Sequence, residues 1–143
     1  KEGVNLASIF LGDGVVVSYS RRGKDDKVLS STNKKPDISP MTVLINRSTA
    51  SAAEVVAGAL QDRNRAVVLG EKSYGKGTVQ ELVDLFDGSQ IEFTVGKYRT
   101  PSGRIIDQVG IQPDLVVGED QEIAKATAVL GGLAALDTGK ASK

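Results

Sequence analysis

The 143-residue chain contains neither cysteine nor histidine. The first absence excludes disulfides, cysteine nucleophiles and thiolate metal sites. The second removes the commonest general base and the commonest transition-metal ligand. A hydrolase built from these residues alone has no Ser-His-Asp triad, and its base is a lysine, a carboxylate or a tyrosine. A binding module needs no histidine either, so the absence does not by itself mark an enzyme. Aromatic residues are scarce at 4%, although 40% apolar residues are enough for a core. Charge of one sign is also missing. Eighteen basic and eighteen acidic residues cancel, which gives no electrostatic argument for nucleic acid or an anionic membrane. No apolar run approaches the roughly 18 residues of a spanning helix, and no signal-peptide pattern stands at Lys1.

What is present has α/β character. The length suits one domain, expected over residues 1–137 with a frayed tail at 138–143. No internal repeat is visible. Val4 to Leu11 forms the end of a short amphipathic helix closed by Gly12. Val15 to Ser20 is strand-like, and Lys27 to Ser31 returns after a turn as a hairpin. Thr42 to Asn46 (TVLIN) is a short apolar run, as expected of a buried parallel strand. Ser51 to Asp62 carries apolar residues at helical spacing, and Ala66 to Leu69 is another buried strand. Strand, helix and strand in this order mark an α/β domain. Thr78 to Leu85 and Gln90 to Tyr98 alternate as strands around Asp87-Gly88, a strong hairpin signal. Thr100 to Gly103 is a turn, and Ile105 to Pro113 is irregular. Glu119 to Leu136 has a helical pattern weakened at Gly131-Gly132.

The segment Gly70 to Thr78, GEKSYGKGT, places Lys76 between two glycines just after a strand. Three readings compete. Gly70 to Lys76 fits seven positions of the phosphate loop G-x-x-x-x-G-K-[ST], but Gly77 replaces the hydroxyl residue, and a strand follows where a helix is required. Alternatively, the glycines serve a turn and the lysine is a solvated side chain. In the third reading Lys76 is a base. That requires its pKa to fall from about 10.4 toward neutrality, through burial in an apolar site. The glycines would let the backbone pass close and point the ammonium inward.

A base needs a nucleophile. Ser51 follows a strand and a short turn and opens a helix, at the C-terminal sheet edge where α/β sites usually lie. Helix amides and partial positive charge there favour a developing oxyanion. Ala50, Ala52 and Ala53 leave room for a substrate chain. The competing reading of Ser51 is an ordinary helix N-cap.

The run Asn46 to Gln80, NRSTASAAEVVAGALQDRNRAVVLGEKSYGKGTVQ, closely resembles the catalytic core of the C-terminal processing peptidases, or tail-specific proteases. Asp87-Gly88-Ser89, Lys97-Tyr98, Thr100 to Arg104 and Gly110 to Asp114 resemble the same family in order. The resemblance covers roughly Val4 to Val117. It implies a mixed β-sheet with flanking helices, of crotonase-like ββα architecture, truncated at its N-terminus. It also implies a serine endopeptidase with a serine–lysine dyad, acting near the C-termini of protein or peptide substrates with unstructured tails. Ser51 then falls on the nucleophile and Lys76, 25 positions later, on the general base. Gln80 falls on the glutamine that orients the lysine, on the same strand face if alternation begins early. The Ala52 amide is one oxyanion donor. Asp62 matches an aspartate associated with the site in some members, and near a helix end it is expected to be structural. The chemistry needs no cofactor, no metal and no nucleic acid.

Two departures qualify the resemblance. The strand with an Asn-Pro-Gly-Gly-like motif, which supplies the second oxyanion amide, is not found, nor is the substrate-gating PDZ domain. The chain therefore resembles the C-terminal part of the catalytic core, and little activity is expected of it alone. Exposed sheet edges leave open a non-cleaving peptide-binding homologue, or pairing into a homo-oligomer. The family implies an extracytoplasmic setting: periplasm, cell envelope or plastid lumen.

Overall fold

The structure is a computed structural model and describes residues 2–21 and 23–140. The elements in chain order are α1 (Glu2–Phe10), β1 (Gly14–Arg21), β2 (Lys24–Ser31), β3 (Thr42–Ile45), α2 (Ala52–Asp62), β4 (Val67–Gly70), β5 (Thr78–Asp84), β6 (Gln90–Arg99), β7 (Leu115–Val116) and α3 (Glu122–Lys140). The strand–helix–strand unit and both hairpins fall where apolar spacing and turn residues placed them.

The strands form two sheets rather than one mixed sheet. Four antiparallel strands run in the order β2-β1-β6-β5, and three parallel strands in the order β3-β4-β7. Both edges of β1 are occupied, by β2 and by β6, and β3 pairs with β4 alone. β7 is only two residues long and arises from a segment with no strand periodicity. Asp114 anchors it: its amide donates to the Val68 carbonyl (2.7 Å) and its carboxylate accepts the Val68 amide (2.7 Å).

The core lies between the sheets and α2. Ala7 of α1, Val16 and Val17 of β1, Val55, Ala57, Ala59 and Leu60 of α2, and Val68 of β4 pack with Ile106 and Ile111. Adjacent residues of a strand normally face opposite ways. Val16 and Val17 are both buried because the β1–β2 register slips between Val15 and Val17. Fully burying a side chain such as Leu60 contributes about 1.5–3 kcal/mol. The outer edge of β3 has no strand partner among the described residues, and Val43 and Leu44 are only partly buried.

The C-terminal helix differs from expectation at both ends. It begins at Glu122 and continues through Gly131 and Gly132 to Lys140. Residues 138–140 are the last of this helix, and 141–143, in the expected tail, lie outside the described residues. Each interior glycine costs about 1 kcal/mol relative to alanine, too little to end a 19-residue helix. Among the described residues no helix is long and apolar enough to cross a membrane.

Candidate active site

Parallel pairing of β3 with β4 brings two loops to one sheet edge. The turn after β3 carries Ser51, and the loop after β4 carries Lys76. The first is a tight polar turn: the Asn46 amide donates to Thr49 Oγ1 (3.0 Å), and the Thr49 and Ser48 amides donate to the Asn46 carbonyl and Oδ1. The two loops are stitched together where the Glu71 amide donates to the Ile45 carbonyl and the Tyr74 amide to the Thr49 carbonyl, both at 2.9 Å.

Ser51 sits at the junction of turn and helix with φ +54° and ψ −118°. A serine at an ordinary N-cap adopts the extended region, so this residue is strained. Such conformations cost about 1–3 kcal/mol and persist only where the surroundings enforce them. Here the surroundings include Glu54, fully buried in the first turn of α2. Its Oε2 accepts the amides of Ser51 and Lys76, each at 2.9 Å. Its Oε1 accepts the Gly75 amide at 2.7 Å and the Ser73 hydroxyl at 2.6 Å. Sharing one oxygen keeps the Ser51 and Lys76 backbone nitrogens within about 5.8 Å of each other. Glu54 is the residue that the sequence reading missed. Its signal was present: Ser51-Ala-Ala-Glu54 has capping-box spacing.

The glycines flanking Lys76 are there for close backbone approach. Gly75 has φ +92°, and an added Cβ at Gly77 would lie 2.2 Å from the Asp107 amide nitrogen. The loop thus lies flat against residues 106–110. The Lys76 side chain is exposed. The apolar burial expected of a lysine base is therefore not supplied by these residues, because the tight contact is made by the backbone on either side. Gln80 is exposed too, and no hydrogen bond joins it to Lys76 among the described residues. β5 begins only at Thr78, so Lys76 lies in the loop before the strand.

The Ala52 amide has no acceptor among the described residues, whereas Ala53 donates to the Ala50 carbonyl and Val55 to the Ser51 carbonyl. An unpaired N–H next to Ser51 is available to a negative oxygen. Beside Ser51 and Ala52 opens a cavity of about 50 Å³ walled by Val4, Val17, Leu29, Val55 and Tyr98. Tyr98 packs edge-on to Tyr19 with centroids 5.8 Å apart. Burial, with the Tyr19 phenol beside it, pushes its own phenol above the usual 10.0. Tyr98 therefore keeps its proton at neutral pH and is unsuited to act as a base. Among the described residues no three carboxylates converge to hold a metal ion.

Asp62 lies at the opposite end of α2 from Ser51, about 16 Å away at 1.5 Å per residue. It accepts the Ser102 amide (2.9 Å) and hydroxyl (2.6 Å) and pairs with Arg104. Burial pushes its carboxyl up, but the hydroxyls of Ser102 and Thr100, the Ser102 amide and the Arg104 charge together hold it below the usual 3.8. It anchors the 100–104 turn.

The α/β core thus carries a strained serine at a strand–helix junction and a lysine loop on the same sheet edge. Residues 1–117 match the model of Peptidase family S41, and the chain belongs to that family. It is 44% identical over 115 residues to the chloroplastic C-terminal processing peptidase of Tetradesmus obliquus and 42% identical over 116 to the carboxyl-terminal-processing protease of Synechocystis. Those matches cover 79% and 80% of this chain but 25% and 27% of the relatives, so the chain spans about a quarter of their length. Among solved structures, a photosystem II D1 C-terminal processing protease superposes with a TM-score of 0.77 at 37% identity, over 93% of this chain and 36% of that one. A lipoprotein from Streptococcus agalactiae shares the fold, with a TM-score of 0.73 at 23% identity over 89% of this chain and 47% of that one.

Proposed function

We propose that this segment forms the serine–lysine centre of a C-terminal processing endopeptidase. The observation that carries the reading is the strained Ser51, bound through a single Glu54 oxygen to the backbone of Lys76. In the reaction, Lys76 takes the proton from Ser51 as Oγ attacks a peptide carbonyl. The Ala52 amide receives the oxyanion. The lysine then returns the proton to the leaving amine, and water hydrolyses the acyl-enzyme. The cavity of about 50 Å³ beside Ser51, walled in part by Val4, Val17, Leu29 and Val55, has room only for a small substrate side chain. Because Lys76 is exposed, its desolvation has to come from what covers the site, a bound polypeptide tail above all. The substrates are proteins or peptides with unstructured C-terminal tails, and no cofactor, metal or nucleic acid is required. An extracytoplasmic setting follows the chloroplastic relatives.

The exposure of Lys76 favours one second reading: a homologue of the same fold that binds peptides without cutting them. The unpartnered β3 edge would accept an extended chain, or another copy of this one. The test uses the full-length enzyme bearing this segment and a peptide with an apolar C-terminus. Cleavage by wild type that is abolished in both Ser51→Ala and Lys76→Ala supports the dyad. Cleavage unchanged in either variant excludes it. Binding with no cleavage by wild type selects the second reading.

A further inference from the structure

We infer that Glu54 is the positioning residue of this site, a clamp that fixes the serine turn and the lysine loop relative to each other; this rests on the Ser51–Lys76 reading. A capping-box glutamate needs one bond, to the amide of its own N-cap. Glu54 makes that bond and three more, to Ser73, Gly75 and Lys76, which lie 19 to 22 residues away in sequence. Burying a carboxylate is costly unless its oxygens are fully hydrogen-bonded, and an ordinary helix cap does not call for burial. All four neighbours donate, so both oxygens act only as acceptors. Ser73 is itself oriented: its Oγ accepts the Ile111 amide at 2.6 Å while donating to Glu54. The clamp therefore extends to the 106–111 strap, against which Gly75 and Gly77 lie. Glu54 touches no reacting atom. It acts through the backbones on either side of the reacting pair.

Glu54→Gln is the discriminating variant. It keeps shape and volume, but its amide group must turn two donors toward Ser73 and Gly75 or toward Ser51 and Lys76. In the full-length enzyme the expected result is a fall in kcat of about 100-fold with KM within about threefold, as for a small misplacement of reacting groups. Ser73→Ala should give a smaller fall in kcat, and Ser73→Thr, which keeps the hydroxyl, should restore it. A Glu54→Gln enzyme that folds and retains kcat within threefold overturns the clamp.

Amide exchange on the unmodified 143-residue chain supplies a readout independent of folding of the variant and of catalysis. Ser51, Gly75 and Lys76 lie outside every helix and strand. Their amides should nevertheless exchange slowly and at similar rates, since one carboxylate holds all three. Fast exchange at Ser51 and Lys76 overturns the proposal. Slow exchange together with full activity of Ser51→Ala would retain the clamp and discard the dyad.

Discussion

The two ends of α2 each carry a buried carboxylate, and they use it differently. At the first turn Glu54 meets only neutral donors, three amides and a hydroxyl, and joins two loops that leave one sheet edge. At the last turn Asp62 meets a cation, Arg104, and closes a single turn onto the helix. An ion pair can be formed by one flexible side chain reaching another. Three backbone amides converge on one carboxylate only if the backbone is already placed. The first end is therefore suited to hold reacting groups and the second to hold the fold, although family resemblance attached both Ser51 and Asp62 to the site.

The largest effect expected at the first end is on rate. Lys76→Ala should lower kcat/KM by about a thousandfold or more, since it removes the proposed base. Assayed beside Asp62→Asn in the full-length enzyme, it should leave the aspartate variant within about tenfold of wild type. Equal losses would erase the distinction between the ends. Next comes Gly77→Ala, whose Cβ would overlap the Asp107 backbone. It should cost about 3 kcal/mol in chemical denaturation, and a stable Ala variant would mean that the lysine loop does not lie as described.

Asp62→Asn should then cost about 2 kcal/mol at neutral pH, through weakened bonds from Ser102 and Arg104. Because the folded carboxyl is held below 3.8, the stability it contributes is complete above that value and is lost as pH falls through the lower folded pKa. The wild-type chain should lose more stability than the variant across that acid range, and parallel curves would contradict the assignment. The smallest effect sharpens the account of Ser51. Ser51→Gly should be more stable than Ser51→Ala by about 1 kcal/mol, because only glycine occupies φ +54° without strain. Both should be inactive.

Much of this was legible before any coordinates. The run TVLIN, the helical spacing of Val55, Val56, Ala59 and Leu60, and Asp87-Gly88 between alternating segments each encode a local period or turn, and each formed as expected. Ser51 and Lys76 were singled out from their places after two strands and given roles by resemblance, and their shared edge followed from the parallel pairing. What escaped was non-local. Whether Lys76 is buried depends on what lies over it, which no spacing around the lysine encodes. Glu54 reads as a helix acid until the loop 20 residues later folds back onto it. The split into two sheets rests on long-range pairing, with β6 joining β1 from more than 70 residues away. β7 is held by Asp114 rather than by any apolar period.

The β5–β6 hairpin ends in a tip remote from all of these contacts. Asp87, Gly88 and Ser89 are exposed, Phe86 stands free of neighbours, and nothing lies within 4 Å of the space beside Gly88. Chain lengthening at such a place adds only a slowly growing closure entropy. The tip is thus a natural point of insertion for a fluorescent reporter or an affinity tag, one that would leave the clamp around Glu54 undisturbed.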